Sequence, residues 1–368
     1  MTLKNNLLPF LMVFFLLSVP AASFAQNTSP PQQISLSQAI TMAQNSNVGS
    51  IISNINVQQA QNAMATATSG FSSSGSFTPS NGLNAGATKG AVGLMQTNYN
   101  LQNAFATNAY QQNNVTYQAE SAYFAVEDAV YGEQVAQTSV SAAQEAYREG
   151  KASYQQGVET ATDLATAKSN LEVAQSKLTA AQAGVDAAFV NFDNTVGLDP
   201  SEHPDLTTNV SYDPNYVAGV VSAAQAVSQT LSNNYQAVEA QNNVLLQGEL
   251  SLYSNPSNNG PLDYQQAQLA QQQVIQGLTG EARAAYLALG SNQDAYNAAQ
   301  KAVIAAQASY SNAQAEYNAG VITKEGLLEA QLGFISAKQG LQASLHTLLL
   351  ARANLALITG VGSVTIPG

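Results

Sequence analysis

Carboxylates and two histidines are the first candidates for proton transfer in this 368-residue sequence. Glu127 and Asp128 form an adjacent acidic pair, but neighbouring residues of a helix point about 100° apart, so these carboxylates are predicted not to converge on one substrate. His346 lies in the run Leu345-His346-Thr347-Leu348. We interpret it as a histidine packed in a helix rather than as a general base.

The sequence gives even less support for a phosphate-binding loop, a thiol nucleophile or a metal site. Gly82 and Gly86 lack the Lys-Ser/Thr ending of a phosphate-binding loop. The chain has no cysteine, which excludes disulfides, thiolate zinc sites and thiol nucleophiles. His203 and His346 are 143 residues apart, which excludes a two-histidine metal motif on one helix. The sequence therefore predicts a protein that is not an enzyme and that binds no cofactor and no metal.

The composition is acidic and poor in charge. The formal net charge is −12, and charged residues make up 9% of the chain, against about 25% in an average domain. Without a cluster of Lys and Arg, no nucleic-acid partner is expected. Neutral amides and hydroxyls supply most of the polarity, and amides keep it in acid, where carboxylates lose their charge. A further hypothesis is therefore that the protein faces an acidic exterior.

The amino terminus has the form of a secretory signal peptide. Lys4 precedes an apolar stretch over residues 7–19, and Ser23-Phe24-Ala25 fits a small-residue cleavage site. Because the apolar stretch is shorter than the ~20 residues of a membrane span, cleavage after residue 25 is favoured over an uncleaved anchor. The mature chain is expected to be exported with a net charge of −13.

Proline positions indicate where long helices can form. Residues 80–199 and 262–366 are free of proline and rich in Ala and Gln, whereas a proline inside a helix costs roughly 3 kcal/mol. The interruptions at 70–93, 197–214 and 255–261 are rich in turn-forming residues.

The chain is an internal duplication. Residues 119–197 align without gaps on 282–360 at an offset of 163, and the match resumes upstream at an offset of 187, so the first half carries 24 more residues. Each half repeats apolar residues every seventh position, with small residues three positions on, which predicts left-handed supercoiling of closely approaching helices. The repeated positions are Val140, Tyr147 and Tyr154 and, after a break, Leu164, Leu171, Leu178, Val185 and Phe192, matched by Val303, Tyr310 and Tyr317 and then Leu327, Phe334, Leu341, Leu348 and Leu355.

A tight turn is predicted in the middle of each half, at about 157–160 and 320–323. Gly157 and Gly320 suit the left-handed residue that ends a helix. Thr160 fits the N-cap of the next helix, with Asp163 completing a capping box. Chain reversal alone accounts for the Gly and the Thr. Val158 and Val321, with Ile322, are apolar at an exposed turn, which favours a contact with a partner.

These features together resemble the outer-membrane efflux protein family, the TolC-like channel components of tripartite export systems. The resemblance covers residues 34–362 and rests on the export signal, the opening 34–47, the duplication and the turn pattern Tyr-x-x-Gly-Val-x-Thr followed by an acidic residue and Leu. It implies a homotrimer in which the protomers form a periplasmic α-barrel continuous with a β-barrel in the outer membrane. Each protomer would contribute four strands, two from each half.

The resemblance also implies the binding residues. The turns would contact the periplasmic adaptor protein of an inner-membrane pump, and Gly326 departs from the family pattern because it stands where the first half has Asp163. The adaptor-facing positions would be Gly157, Val158, Thr160 and Asp163 in the first half and Gly320, Val321, Thr323 and Glu325 in the second.

The predicted fold is mainly α, with long antiparallel coiled-coil hairpins in two tandem repeats and short, complete or incomplete β-hairpin insertions. After the signal peptide, the first repeat spans 26–199 with an insertion at about 70–99. A loop follows at 200–216. The second repeat spans 217–362 with a shorter insertion at about 248–264, and a tail occupies 363–368.

Two functions remain open at this stage. The first is a passive conduit of a tripartite efflux or type I export system, in the outer membrane with a periplasmic extension; its net negative charge would favour cations. The second is a structural or adhesive coiled-coil rod of the cell envelope, without a conduit. The duplication and the turn pattern favour the conduit, and the short second insertion favours the rod.

Overall fold

The structure, a computed structural model, describes residues 32–74, 85–200, 203–207, 222–253 and 259–361. The signal peptide, most of the 200–216 loop and the 363–368 tail lie outside the described residues. The first half contains β1 (Gln33–Ile34), α1 (Leu36–Ser46), α2 (Val48–Ser74), α3 (Ala85–Gln155) and α4 (Ala161–Val196). After β2 (Asp205–Leu206), the second half contains α5 (Ala223–Asn233), α6 (Tyr235–Tyr253), α7 (Gly260–Asn318) and α8 (Lys324–Thr359).

The predicted pair of long helical hairpins is confirmed. α3 and α7 are 71 and 59 residues long, and each turns back into a helix of 36 residues, α4 or α8. At 1.5 Å per residue the shorter arms are about 54 Å long. α3 packs on α4 and α7 packs on α8 within the hairpins, and α3 also packs on α8 between them.

The heptad positions are the less exposed positions of α4. The apolar stripe and the small residues three positions after it are all at least half-buried, while most of the intervening positions are exposed. These positions are Leu164, Ala167, Leu171, Ala174, Leu178, Ala181, Val185, Ala188 and Phe192. The sequence period therefore identified the face that α4 turns towards α3.

Each repeat has a small core where its opening helix meets the ends of the long helices. In the first half Ala39, Tyr123 and Phe192 are fully buried together. In the second half their repeat counterparts Ala226 and Leu355 are buried, with Tyr286 packed beside them. The duplication is therefore preserved in packing as well as in helix order.

The αL glycines that end α4 and α8 lie against the opening helices. Gly197 has φ +80°, and a Cβ there would lie 2.5 Å from Ser46 Cβ. Gly360 has φ +64°, and a Cβ there would lie 2.7 Å from the Asn233 backbone. The positive φ and the close approach both exclude a side chain at these two positions. Glycine is therefore required where the last helix of each repeat ends against the opening helix.

The β-hairpin insertions expected at about 70–99 and 248–264 are wrong over the residues that the structure describes. α2 continues to Ser74 and α3 begins at Ala85, while α6 continues to Tyr253 and α7 begins at Gly260. A four-residue alternation at 250–253 cannot outweigh propagation of a helix that already has a packing partner. Pro261 is accommodated in the first turn of α7, where its missing N–H is not needed. Residues 75–84 and 254–258 lie outside the described residues.

A pair of two-residue strands was not predicted. β1 and β2 pair in parallel, with Gln33 opposite Asp205 and Ile34 opposite Leu206. The hydroxyl of Tyr123 donates to the Ile34 carbonyl at 3.3 Å, which fixes β1 against α3.

One helix among the described residues, α8, is long and apolar enough to cross a membrane by length and composition. In the structure this helix packs against both α3 and α7, and core helices also meet those two criteria.

Candidate functional site

The first tip, which we define as residues 156–163, has the predicted geometry. Gly157 adopts φ +76° directly after α3. The Thr160 hydroxyl accepts from the Asp163 N–H at 3.2 Å, and the Thr160 N–H donates to Asp163 Oδ2 at 3.0 Å. This reciprocal pair is the expected capping box, and the hydrogen bonds from Thr160 lower the pKa of Asp163. Its carboxylate therefore stabilises the start of α4.

The second tip, residues 319–326, repeats the turn without the acidic cap. Gly320 has φ +71°, and the Thr323 hydroxyl accepts from the Gly326 N–H at 3.2 Å. Because Gly326 has no side chain, it cannot accept a hydrogen bond from the Thr323 N–H as Asp163 accepts one from the Thr160 N–H. Lys324 instead lies over the Tyr317 ring, 5.3 Å from its centroid.

Each tip exposes one large apolar side chain. Val158 is 76% exposed and Val321 is 72% exposed, and the two occupy the same position in the two repeats. Ile322 instead folds back and lies near the Gly326 backbone. Two exposed valines at equivalent tips form a small apolar surface that no described part of the chain covers.

Carboxylates cluster around Glu325 of the second tip. Burial raises the pKa of Glu325, and four nearby carboxylates raise it further: Glu329, Glu149, Glu159 and Glu145. Two of these belong to the last turns of α3 and one to the first tip, so the structure brings Glu325 close to the first hairpin. Arg148 pairs with Glu145 on α3. The tips therefore present valines within a predominantly negative field.

Away from the tips, Glu127 and Asp128 meet at one imidazole. Asp128 Oδ1 lies 2.8 Å from His346 Nδ1, and Glu127 Oε2 lies 2.9 Å from Nε2. The two carboxylates point in different directions, as predicted, but they reach opposite edges of the same ring, a contact that the sequence did not predict. Burial alone would lower the pKa of His346, but the two carboxylates outweigh it and raise the pKa.

His346 is buried, in agreement with its interpretation as a packed histidine. The carboxylates stand on opposite sides of the ring, so they cannot share a metal ion with it. Among the described residues there is no group of three or more His, Asp or Glu side chains that could hold a metal. His203 lies elsewhere and stacks on Phe189 with centroids 4.7 Å apart.

Glu120 is a buried acid that the sequence did not single out. Its side chain is buried in α3, its Oε2 makes no hydrogen bond, and burial raises its pKa to about 8. A buried carboxyl of this kind is neutral at pH 7. The one available signal was the repeat alignment, where Glu120 corresponds to Arg283 and so departs from the duplication.

The fold of this chain is similar to that of several solved outer-membrane channels. The Campylobacter jejuni CmeC outer membrane channel superposes with a TM-score of 0.68 at 14% identity, over 90% of this chain and 87% of that one. The Vibrio cholerae outer membrane protein VceC gives 0.60 at 14% identity, over 89% and 96%. The chain has the outer-membrane channel fold.

The likeness extends to the MtrE outer membrane channel of Neisseria gonorrhoeae in its open state, with a TM-score of 0.52 at 14% identity over 88% of each chain. No protein-family model matches the chain, and no curated protein matches it either. The resemblance predicted from the sequence is thus confirmed at the level of the outer-membrane channel fold. The tip residues and their role in binding stay predictions.

Proposed function

We propose that this protein is a passive channel component of a tripartite efflux or type I export system. The observation that carries the proposal is the outer-membrane channel fold, shared over about nine tenths of both chains with CmeC. As a conduit the protein performs no catalysis, and an inner-membrane pump drives transport. The proposed location is the outer membrane, with the long hairpins in the periplasm.

The proposed assembly is a homotrimer whose hairpins form the wall of a tube. Neutral amides and hydroxyls supply most of the polar side chains, and the exported chain carries a net charge of −13. A lumen lined by such a surface raises the local concentration of cations over anions. Salt should weaken this selectivity, because the Debye length is about 8 Å at physiological ionic strength.

The proposed docking site for a periplasmic adaptor protein is the pair of tips. Val158 and Val321 would enter apolar pockets of the adaptor, and the surrounding carboxylates would face basic residues on it. Gly157 and Gly320 form the turns, Thr160 with Asp163 caps α4, and Thr323 caps α8, which has Glu325 in its first turn. The exposure of two repeat-related valines supports this role.

Planar-bilayer recordings test the conduit, with the mass in detergent measured by light scattering. We expect a trimer that gives stable conductance with cation preference, and a preference that declines as salt rises. Heat-denatured protein is the control for detergent leakage. A folded monomer or dimer without conductance would contradict the proposal and favour the coiled-coil rod.

A further inference from the structure

Contacts between α3 and α8 fix how the two hairpins of one chain pack. His346 stacks on Phe124 with ring centroids 4.3 Å apart and planes 7° apart. Farther along, Gln339 Nε2 lies 3.4 Å from the position that a Cβ on Gly132 would occupy. Residue numbers rise along α3 as they fall along α8, so the helices are antiparallel with a defined register. We call this contact the α3–α8 seam.

Because the chain is duplicated, it also contains counterparts of the two helices that form the α3–α8 seam. In the described part of the single chain these counterparts do not pack on each other. The counterpart of α3 is α7, and the counterpart of α8 is α4. Phe124, which is 1% exposed, corresponds to Leu287, which is 67% exposed. On the same face of α7, Ile304 is 70% exposed. On α4, Ala183 corresponds to buried His346 and is exposed.

We infer that the open face of α7 in one copy packs on the open face of α4 in a second copy, in the register of the α3–α8 seam, and that Arg283 pairs there with Asp186. The inference rests on the proposed homotrimer and names the residues that assemble it. The contact is head-to-tail, and such a contact forms a ring when its rotation closes.

Charge complementarity supports this register. Arg283 is exposed on α7, one turn from Leu287, and Asp186 is exposed on α4, one turn from Ala183. Transferring the register of the α3–α8 seam brings Arg283 and Asp186 to nearly the same level. Farther along, Lys301 and Glu172 are also exposed and come level with each other.

The α3–α8 seam carries neither of these pairs. Arg283 and Asp186 correspond there to Glu120 and Leu349, and Lys301 and Glu172 correspond to Thr138 and Ile335. Conversely, the cluster of His346 with Glu127 and Asp128 corresponds to Ala183, Gly290 and Ser291, which are small. The two seams thus differ in chemistry, so α4 of a second copy is disfavoured at the place of α8.

Thiol cross-linking tests the register, because the chain has no cysteine of its own. In the Leu287→Cys/Ala183→Cys variant, a short bifunctional maleimide should yield covalent dimers and trimers on denaturing gels. Leu287→Cys with Lys168→Cys, which lies on α4 far from the matching level, is the mismatched control. Monomer alone from the matched pair, in protein that light scattering shows to be trimeric, would overturn the inferred register.

Charge reversal tests the pairing. Arg283→Asp and Asp186→Arg each place like charges across the seam and should raise the concentration for half-assembly about tenfold or more, while the double reversal should restore it. Lys177→Asp, on a different face of α4, is the control. If the double variant assembles no better than the single ones, the pairing is wrong. Cross-linked rings without conductance would contradict the proposed function and leave this inference standing.

Discussion

The Nδ1 of His346 lies 2.8 Å from Asp128 Oδ1 although the two residues are 218 positions apart. This contact joins the first hairpin to the second at the α3–α8 seam. Glu127 Oε2 lies 2.9 Å from the other ring nitrogen, so both carboxylates favour the imidazolium form of His346. The groups that face His346 are Asp128, Glu127 and Phe124 from α3 and Gln342 from its own helix.

This arrangement makes the stability of the hairpin pair depend on pH. The pKa of His346 is raised in the folded protein above its ordinary 6.5. Its stabilising contribution is therefore complete below about pH 6.5 and is lost as pH rises through the folded pKa. His346→Gln should cost about 2 kcal/mol of unfolding free energy at pH 5.5 and progressively less above neutrality.

Urea unfolding followed by circular dichroism from pH 5 to 9 measures this difference. His203→Gln is the control for the loss of a histidine outside the seam. An equal cost of His346→Gln at all pH values would show that the ring acts through packing on Phe124 alone.

Glu120 predicts a second pH effect of the same sign. Burial raises its pKa from 4.5 to about 8, so the folded carboxyl stays neutral over a range in which the unfolded one ionises. The contribution of Glu120 to the free energy of unfolding is therefore fully present below about pH 4.5, and it is lost as the pH rises towards 8. Glu120→Gln should therefore stabilise the protein by about 3 kcal/mol at pH 7 and leave it unchanged at pH 4.

Thermal unfolding of Glu120→Gln and of the exposed-site control Glu316→Gln at pH 4 and pH 7 separates these cases. Stabilisation that is the same at both pH values would argue against a neutral Glu120. Because a neutral Glu120 favours the folded state in acid, retained helical circular dichroism near pH 3 would support the hypothesis of an acidic exterior. Unfolding there would remove it.

Gly197 predicts a strong effect of a single methyl group. Gly197→Ala places a Cβ 2.5 Å from Ser46 Cβ at φ +80°, so the α1 contact must shift, and we expect a loss of about 2 kcal/mol or more. Gly184→Ala, inside α4 with nothing within 4 Å of its Cβ, should instead stabilise by up to about 1 kcal/mol. Denaturant midpoints of the two variants check the sign, and a neutral Gly197→Ala would contradict the close approach.

The buried face and the starting residue of a helix could be predicted from the sequence, because both depend on residues within that one helix or next to it. The stripe from Leu164 to Phe192 identified the buried face of α4, and Thr160 with Asp163 identified the start of that helix. Contacts across the fold could not be predicted in the same way. The Asp128–His346 pair depends on the register of two helices from different repeats, and no local pattern encodes that register.

The family resemblance misled the prediction at the insertions. It implied strand pairs at about 70–99 and 248–264, but the residues through Ser74 and Tyr253 continue helices that already have packing partners. Burial of Glu120 was likewise hidden, because polar residues on α3 are common and only its environment distinguishes this one.

The exposed tip valines give a prediction that separates docking from conduction. Val158→Glu/Val321→Glu replaces both apolar side chains with carboxylates in a field that is already negative. Because the tips are exposed, folding, trimer mass and bilayer conductance should be unchanged. Export by cells that contain the cognate adaptor and pump should fall at least tenfold, since each buried apolar anchor contributes about 1 to 3 kcal/mol to a typical interface.

The control is Gln156→Glu, which adds a charge within the first tip and keeps both valines. Normal export by the control with defective export by the double variant would assign the loss to the valines rather than to charge. A double variant that exports normally would remove the valines from the docking site, whereas one that loses conductance as well would mean that the tips contribute to the channel itself.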